Sequence, residues 1–119
     1  MKKILIIDDE KPTLAMFRLL LEAYGYEVVT AENGRIGIET FERERPAVVF
    51  TDIKMPGIDG LEVLKRIKAI DAASPVIVIT GHGDRDLARQ AMDMNATTFI
   101  HKPIQRKALE EALALAEGK

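Results

Sequence analysis

Residues 47–60 read AVVFTDIKMPGIDG, an apolar, β-branched run that ends in an acid, Asp52, turns at Pro56-Gly57 and resumes as a helix pattern near Asp59. A nearly continuous apolar run of this length is the mark of a strand covered on both faces. Desolvating a carboxylate is costly, so an aspartate that closes such a strand calls for a reason.

The same kind of run recurs on either side. KILII (3–7), EVVTA (27–31), AVVFT (47–51), PVIVIT (75–80) and TTFIH (97–101) alternate with amphipathic segments. EVVTA and TTFIH are the less continuous two. Leu14, Phe17 and Leu21 fall three and four apart, and Gly25 closes that helix after Tyr24. A second helix runs from Gly34 to Arg45 and stops at Pro46. Leu61, Leu64 and Ile67 share a face of the third, with Lys65, Arg66 and Lys68 outward. Leu87, Ala88, Ala91 and Met92 mark the fourth, and Ala108, Leu109, Ala112 and Leu113 the fifth. Strand–helix alternation predicts one α/β domain over 1–119, a doubly wound open parallel sheet with right-handed crossovers and helices on both faces. A closed barrel would need about eight such units.

Composition narrows the chemistry. The 119 residues include no cysteine, which removes disulfide scaffolds, thiolate metal sites and cysteine nucleophiles. A net charge of −2 gives no electrostatic reason to expect nucleic-acid or membrane binding. The N-terminal MKKILIIDDE is a strand and not a signal peptide, because two acids follow only four apolar residues. No apolar run approaches the ~18 residues of a membrane span. These features predict a cytoplasmic protein.

In an open parallel sheet the ligand site lies beyond the carboxyl ends of the strands. Asp8, Asp9 and Glu10 follow the first strand, Asp52 the third, Thr80-Gly81 ends the fourth and Lys102-Pro103 the fifth. The edge therefore gathers acids, a hydroxyl and an ammonium. Clustered carboxylates repel, by roughly 4 kcal/mol for two charges ~4 Å apart at an effective dielectric near 20. A shared proton, the lysine or a hard divalent cation would offset this, and oxygen ligands suit Mg²⁺ best among metals. Such parts handle phosphoryl groups, and a carboxylate on the central strand, Asp52, is the candidate nucleophile.

ILIIDDE, VVFTDIKMPGIDGLEVLKRIK, PVIVITGHGD and FIHKPI stand in this order, each at a predicted strand end. With these marks the chain resembles a two-component response-regulator receiver domain from end to end. The resemblance implies a flavodoxin-like fold with strand order 2-1-3-4-5. It implies that Asp52 accepts a phosphoryl group from a sensor histidine kinase or phosphotransfer protein. Mg²⁺, or Mn²⁺ in its place, would be held by Asp9, Asp52 and the backbone carbonyl of Lys54, with Asp8 bound through water. Thr80 and Lys102 would receive phosphoryl oxygens. Thr80 and Phe99 would form a coupled switch that remodels the face of helix four, strand five and helix five. That face would address an output partner or domain, or a phospho-dependent homodimer. Lys54 and His82 occupy positions that tune dephosphorylation in this family; whether Lys54 shields the acyl phosphate or pairs with it stays open at this stage. No effector sequence follows helix five, so the resemblance fits either a stand-alone receiver or the N-terminal part of a longer regulator.

The sequence departs from the family's common pattern in places. Phe99 replaces a frequent tyrosine, and Asn95 stands where glycine often precedes Ala96, a substitution compatible with a positive φ. Read singly, several residues have plainer roles. Asp8 or Asp9 could cap helix one, Asp59 caps helix three, and His82 and His101 are surface or loop residues. Two other classes compete with a signalling module that is not a metabolic enzyme. A Mg²⁺-dependent aspartyl-phosphate phosphohydrolase generally carries a second acid two residues after the nucleophile, where this chain has Lys54. A flavin or nucleotide site needs a small-residue loop after the first strand, where this chain has DDEKPT.

Overall fold

The computed structural model describes residues 2–118. Five strands, β1 (Lys3–Ile7), β2 (Glu27–Ala31), β3 (Val48–Asp52), β4 (Val76–Thr80) and β5 (Thr98–His101), form one parallel sheet in the order β2-β1-β3-β4-β5. Between and after them come α1 (Lys11–Ala23), α2 (Gly34–Glu44), α3 (Gly60–Ile70), α4 (Arg85–Asp93) and α5 (Arg106–Ala116). The order agrees with the sequence expectation. The two less apolar strands, β2 and β5, are the edges, and every residue of β3 and β4 is buried.

Side chains alternate across a strand, so each central strand feeds two cores. On one face Leu5, Ile7, Val49, Val76 and Val78 pack with Phe41 of α2, Leu64 and Ile67 of α3 and Ala91 of α4. On the other, Ile4, Ile6, Phe50, Ile77 and Ile79 pack with Phe17 and Leu21 of α1 and Leu109 and Leu113 of α5. The Phe17 and Phe50 rings lie 5.5 Å apart and tilted by 47°. Full burial of each large apolar side chain contributes about 1.5–3 kcal/mol, which commits the sheet to this register, since a slip of one residue would exchange the two faces.

Helix boundaries follow local chemistry. The Asn33 side chain accepts from the Ile36 N–H at the start of α2, and that of Asp59 accepts from the Glu62 N–H at the start of α3. Gly25 and Asn95 take positive φ, 94° and 70°, at the ends of α1 and α4. Three details differ from expectation. Glu10 occupies the N-cap of α1 without a side-chain cap bond, because the Asp8 carboxylate accepts from the Glu10 N–H and stays in the site. Met92 is exposed, and it is Met94 that packs on the core beside Ala91 and Ala96, since α4 ends at Asp93 and the chain turns inward after it. Lys68 is half-buried, its ammonium donating to the Ser74 carbonyl oxygen at 2.6 Å, and burial lowers its pKa.

Candidate functional site

Strand order reverses between β2-β1 and β3-β4-β5, and the crevice at the carboxyl end of β1 and β3 is where such sheets bind ligands. Asp8 is the residue after β1, Asp52 the last of β3, Thr80 the last of β4, and Lys102 the residue after β5. Backbone bonds fix these ends: Asp8 N–H donates to the Ala31 carbonyl at 3.1 Å, and Lys102 N–H to the Thr80 carbonyl at 2.8 Å. Helix α3 starts hard against β3. A Cβ on Gly60 would lie 2.2 Å from the Asp52 carbonyl oxygen, so the approach requires glycine. Gly57, at φ 77°, makes the preceding turn.

Asp8 is fully buried and Asp52 nearly so. The Lys102 ammonium stands among three carboxylates, 3.3 Å from Asp52 Oδ2, 3.4 Å from Asp8 Oδ2 and 3.2 Å from Glu10 Oε1. Burial and the charge of Asp8 push the Asp52 carboxyl up to about 6, against the pull of Lys102. Burial likewise raises Asp8. Burial opposes the Lys102 charge, but Asp52 and Asp8 outweigh it and hold the ammonium above its ordinary range. One cation thus shares two buried acids and leaves them under-neutralised.

Asp8, Glu10 and Asp52 bring carboxylate oxygens within 4.8 Å of one another. Asp8 Oδ2 is buried and receives no hydrogen bond. An all-oxygen cluster whose buried Asp8 Oδ2 is met only by the Lys102 ion pair fits a hard divalent cation such as Mg²⁺. Asp9, expected from sequence as a ligand, is exposed, and Glu10 instead completes the close group. Its charge still reaches the site, raising both Asp8 and Asp52.

Lys54 points elsewhere. Its Nζ lies 2.8 Å from Oδ1 of Asp84, a carboxylate only 3% exposed, and Asp84 Oδ2 accepts from the Gly81 N–H at 2.7 Å. Burial opposes the Asp84 charge, yet Lys54 and the Gly81 N–H lower its pKa. Asp84 therefore straps the loop after β3 to the loop after β4. The sequence showed only an aspartate ahead of a helix, which reads as an N-cap; its carboxylate turns back to Gly81 instead, and no side-chain cap bond forms.

Thr80 is fully buried. Its hydroxyl meets His101 Nδ1 at 2.5 Å and the Ile100 carbonyl oxygen at 3.3 Å. His101 is exposed on β5, as a surface residue should be, but its ring is not idle. Phe99 is 37% exposed and meets that ring edge-on. His82 is exposed in the loop after β4. The structure thus gathers Asp8, Asp52 and Lys102 in direct contact, with Thr80 at the neighbouring strand end and Lys54 tied to Asp84.

Comparison with known proteins agrees with this geometry. The family model described as the response regulator receiver domain matches residues 4–114. Sporulation initiation phosphotransferase F of Bacillus subtilis is 34% identical over 112 residues, 94% of this chain and 90% of that protein. The C4-dicarboxylate transport transcriptional regulatory protein DctD of Pseudomonas aeruginosa is 41% identical over 115 residues, 96% of this chain but 25% of that protein. Among solved structures, a response regulator receiver domain protein from Clostridium thermocellum superposes with a TM-score of 0.95 at 39% identity, covering 99% of this chain and 95% of that one.

Proposed function

This chain belongs to the response regulator receiver domain family, and from that premise we propose that Asp52 is the phosphoacceptor of a phosphorylation-controlled switch. The observation that carries the assignment is the Asp52 carboxylate itself, at the end of the central strand, 3.3 Å from the Lys102 ammonium and beside the buried Asp8. The donor is the phosphohistidine of a sensor histidine kinase or phosphotransfer protein. An Asp52 carboxylate oxygen forms the new O–P bond as the P–N bond breaks, and the imidazole leaves with the bonding electrons and takes a proton. Because Asp52 titrates near 6, most of it is the nucleophilic carboxylate at neutral pH even before a cation arrives. Lys102 is placed to pair with the phosphoryl oxygens that replace the carboxylate charge.

Asp52 and Asp8, with Asp9 or Glu10 and the Lys54 carbonyl, would hold Mg²⁺, or Mn²⁺ in its place. The ion would neutralise charge on the phosphoryl oxygens. The chain handles its own phosphoryl group and has no metabolic substrate. Lys54, held by Asp84, tunes the lifetime of the acyl phosphate, and His82, in the loop after β4, shares that role. The output is the face of α4, β5 and α5, reached through Thr80 and Phe99.

Labelling with acetyl phosphate and Mg²⁺ tests the proposal: intact mass should rise by one phosphoryl group, and Asp52→Asn should abolish the gain. Uptake by Asp52→Asn at the wild-type rate would refute it. Sustained turnover of phosphomonoesters would favour the phosphohydrolase reading, which Lys54, in place of a second acid, disfavours.

A further inference from the structure

Side chains alternate along β5, so Phe99 and His101 project to one side of the sheet while Ile100 enters the core on the other. His101 is the register partner of Thr80 on β4. Both hydrogen bonds of the Thr80 hydroxyl run to β5, to His101 Nδ1 at 2.5 Å and to the Ile100 carbonyl oxygen at 3.3 Å. The imidazole in turn meets the Phe99 ring edge-on, with centroids 5.4 Å apart and planes at 74°. A continuous line of contacts therefore runs from a fully buried hydroxyl at the end of β4 to an aromatic ring on the surface.

We infer that His101 is a positioning residue that holds the Thr80 hydroxyl on the β5 side in the unphosphorylated chain and passes the release of that bond to Phe99. The inference rests on the reading of Asp52 as phosphoacceptor. A hydroxyl has one hydrogen to donate. It gives that hydrogen to a bare Nδ1, or gives it to the Ile100 carbonyl while accepting from an Nδ1–H. In both arrangements the donor is committed to β5, and a phosphoryl oxygen on Asp52 must compete for it. The phosphoryl oxygen is anionic, and a charge-assisted bond is about twice as strong as a neutral one, so the exchange runs toward the phosphate. His101 then loses the partner that fixed its ring, and the surface against which Phe99 rests changes with it. Direct packing of Thr80 on Phe99 is not needed for the two to be coupled.

Two measurements test this. In metal-free protein, the imidazole ¹⁵N resonances of His101 report the Nδ1 bond directly. Thr80→Val should shift the Nδ1 signal, and an unchanged signal would overturn the inference. In Mg²⁺ with beryllofluoride as the phosphoryl mimic, His101→Leu removes the side-chain bond, one of the two that hold the hydroxyl on β5, and should bind the mimic about 2- to 10-fold tighter, the worth of one net hydrogen bond. His101→Asn, whose amide can reach the same hydroxyl, should return toward wild-type affinity and also serves if the leucine variant does not fold. Equal affinity in wild type and His101→Leu would overturn the positioning role. A wild-type chain that binds no beryllofluoride would refute the phosphoacceptor reading, and the role in capture would fall with it. That failure is visible before any variant is compared.

Discussion

Replacing Asp52, the proposed phosphoacceptor, should make the metal-free protein more stable. Asp52 is 5% exposed and its carboxyl is pushed from 3.8 up to about 6, by burial first and by the charge of Asp8 second. A folded-state value above the unfolded one means that protonation favours folding. That contribution is fully present below about 3.8 and is lost as pH rises through about 6. At 1.36 kcal/mol per pH unit, the ionised carboxylate costs up to about 3 kcal/mol at neutral pH. Asn has nearly the same shape and no charge, so Asp52→Asn should gain about 1–3 kcal/mol at pH 7.5. Near pH 4 the gain should shrink towards zero. Urea melts of both proteins in EDTA, from pH 4 to pH 8, give the difference directly. Adding Mg²⁺ should narrow it, because the ion binds the wild type better; at ten times its Kd it stabilises by about 1.4 kcal/mol. A variant that is destabilised at pH 7.5 in EDTA, or a difference that does not grow with pH, would refute the reasoning.

The Lys54–Asp84 strap predicts the opposite sign at the other acid: the pKa of Asp84 is lowered, so its contribution is present above about 3.8 and lost on acidification, and Asp84→Asn should destabilise at pH 7. A double-mutant cycle with Lys54→Met in urea melts should show coupling of about 0.5–1.5 kcal/mol, modest because Lys54 is largely exposed; additive losses would remove the strap. The same two variants should each change the half-life of the phosphorylated protein, as followed by loss of label, since Asp84→Asn frees the Lys54 ammonium and Lys54→Met deletes it; a half-life unmoved in both would sever the strap from dephosphorylation. Lys102→Met leaves Asp8 and Asp52 without their shared cation and should cost about 1.5–3 kcal/mol at pH 7.5 in EDTA, recovered at pH 5 as the acids protonate; a loss independent of pH would contradict this. Gly60→Ala should cost at least about 2 kcal/mol in the same melts and slow labelling of Asp52, because the new methyl meets the Asp52 carbonyl at 2.2 Å; a neutral substitution would show that α3 is free to move away.

Much of the fold was legible because its signals are local. KILII, AVVFT and PVIVIT are nearly continuous in apolar residues, as strands buried on both faces require; EVVTA and TTFIH are mixed because they are edges. The boundary signals at Asp59, Gly25 and Asn95 also act within a few residues of themselves. Met92 continues the helical spacing of Ala88 and Ala91, but it stands next to the last residue of a short helix and its side chain faces solvent.

By itself the sequence determined which residues arrive at the carboxyl edge, because each of Asp8, Asp52, Thr80 and Lys102 is fixed by the end of its own strand. Pairing is another matter, since it depends on where side chains turn once distant loops are set side by side. Lys54 and Asp84 lie on different loops, and only their packing turns the lysine from Asp52 toward a buried carboxylate. Glu10 rather than Asp9 closes on Asp8 and Asp52 because the chain is already entering α1 there. His101 meets Thr80 because β4 and β5 are paired in one register among several that TTFIH alone would allow. Burial decided the rest: the same aspartate would titrate near its ordinary value in water and does so near 6 here because the folded sheet takes the water away.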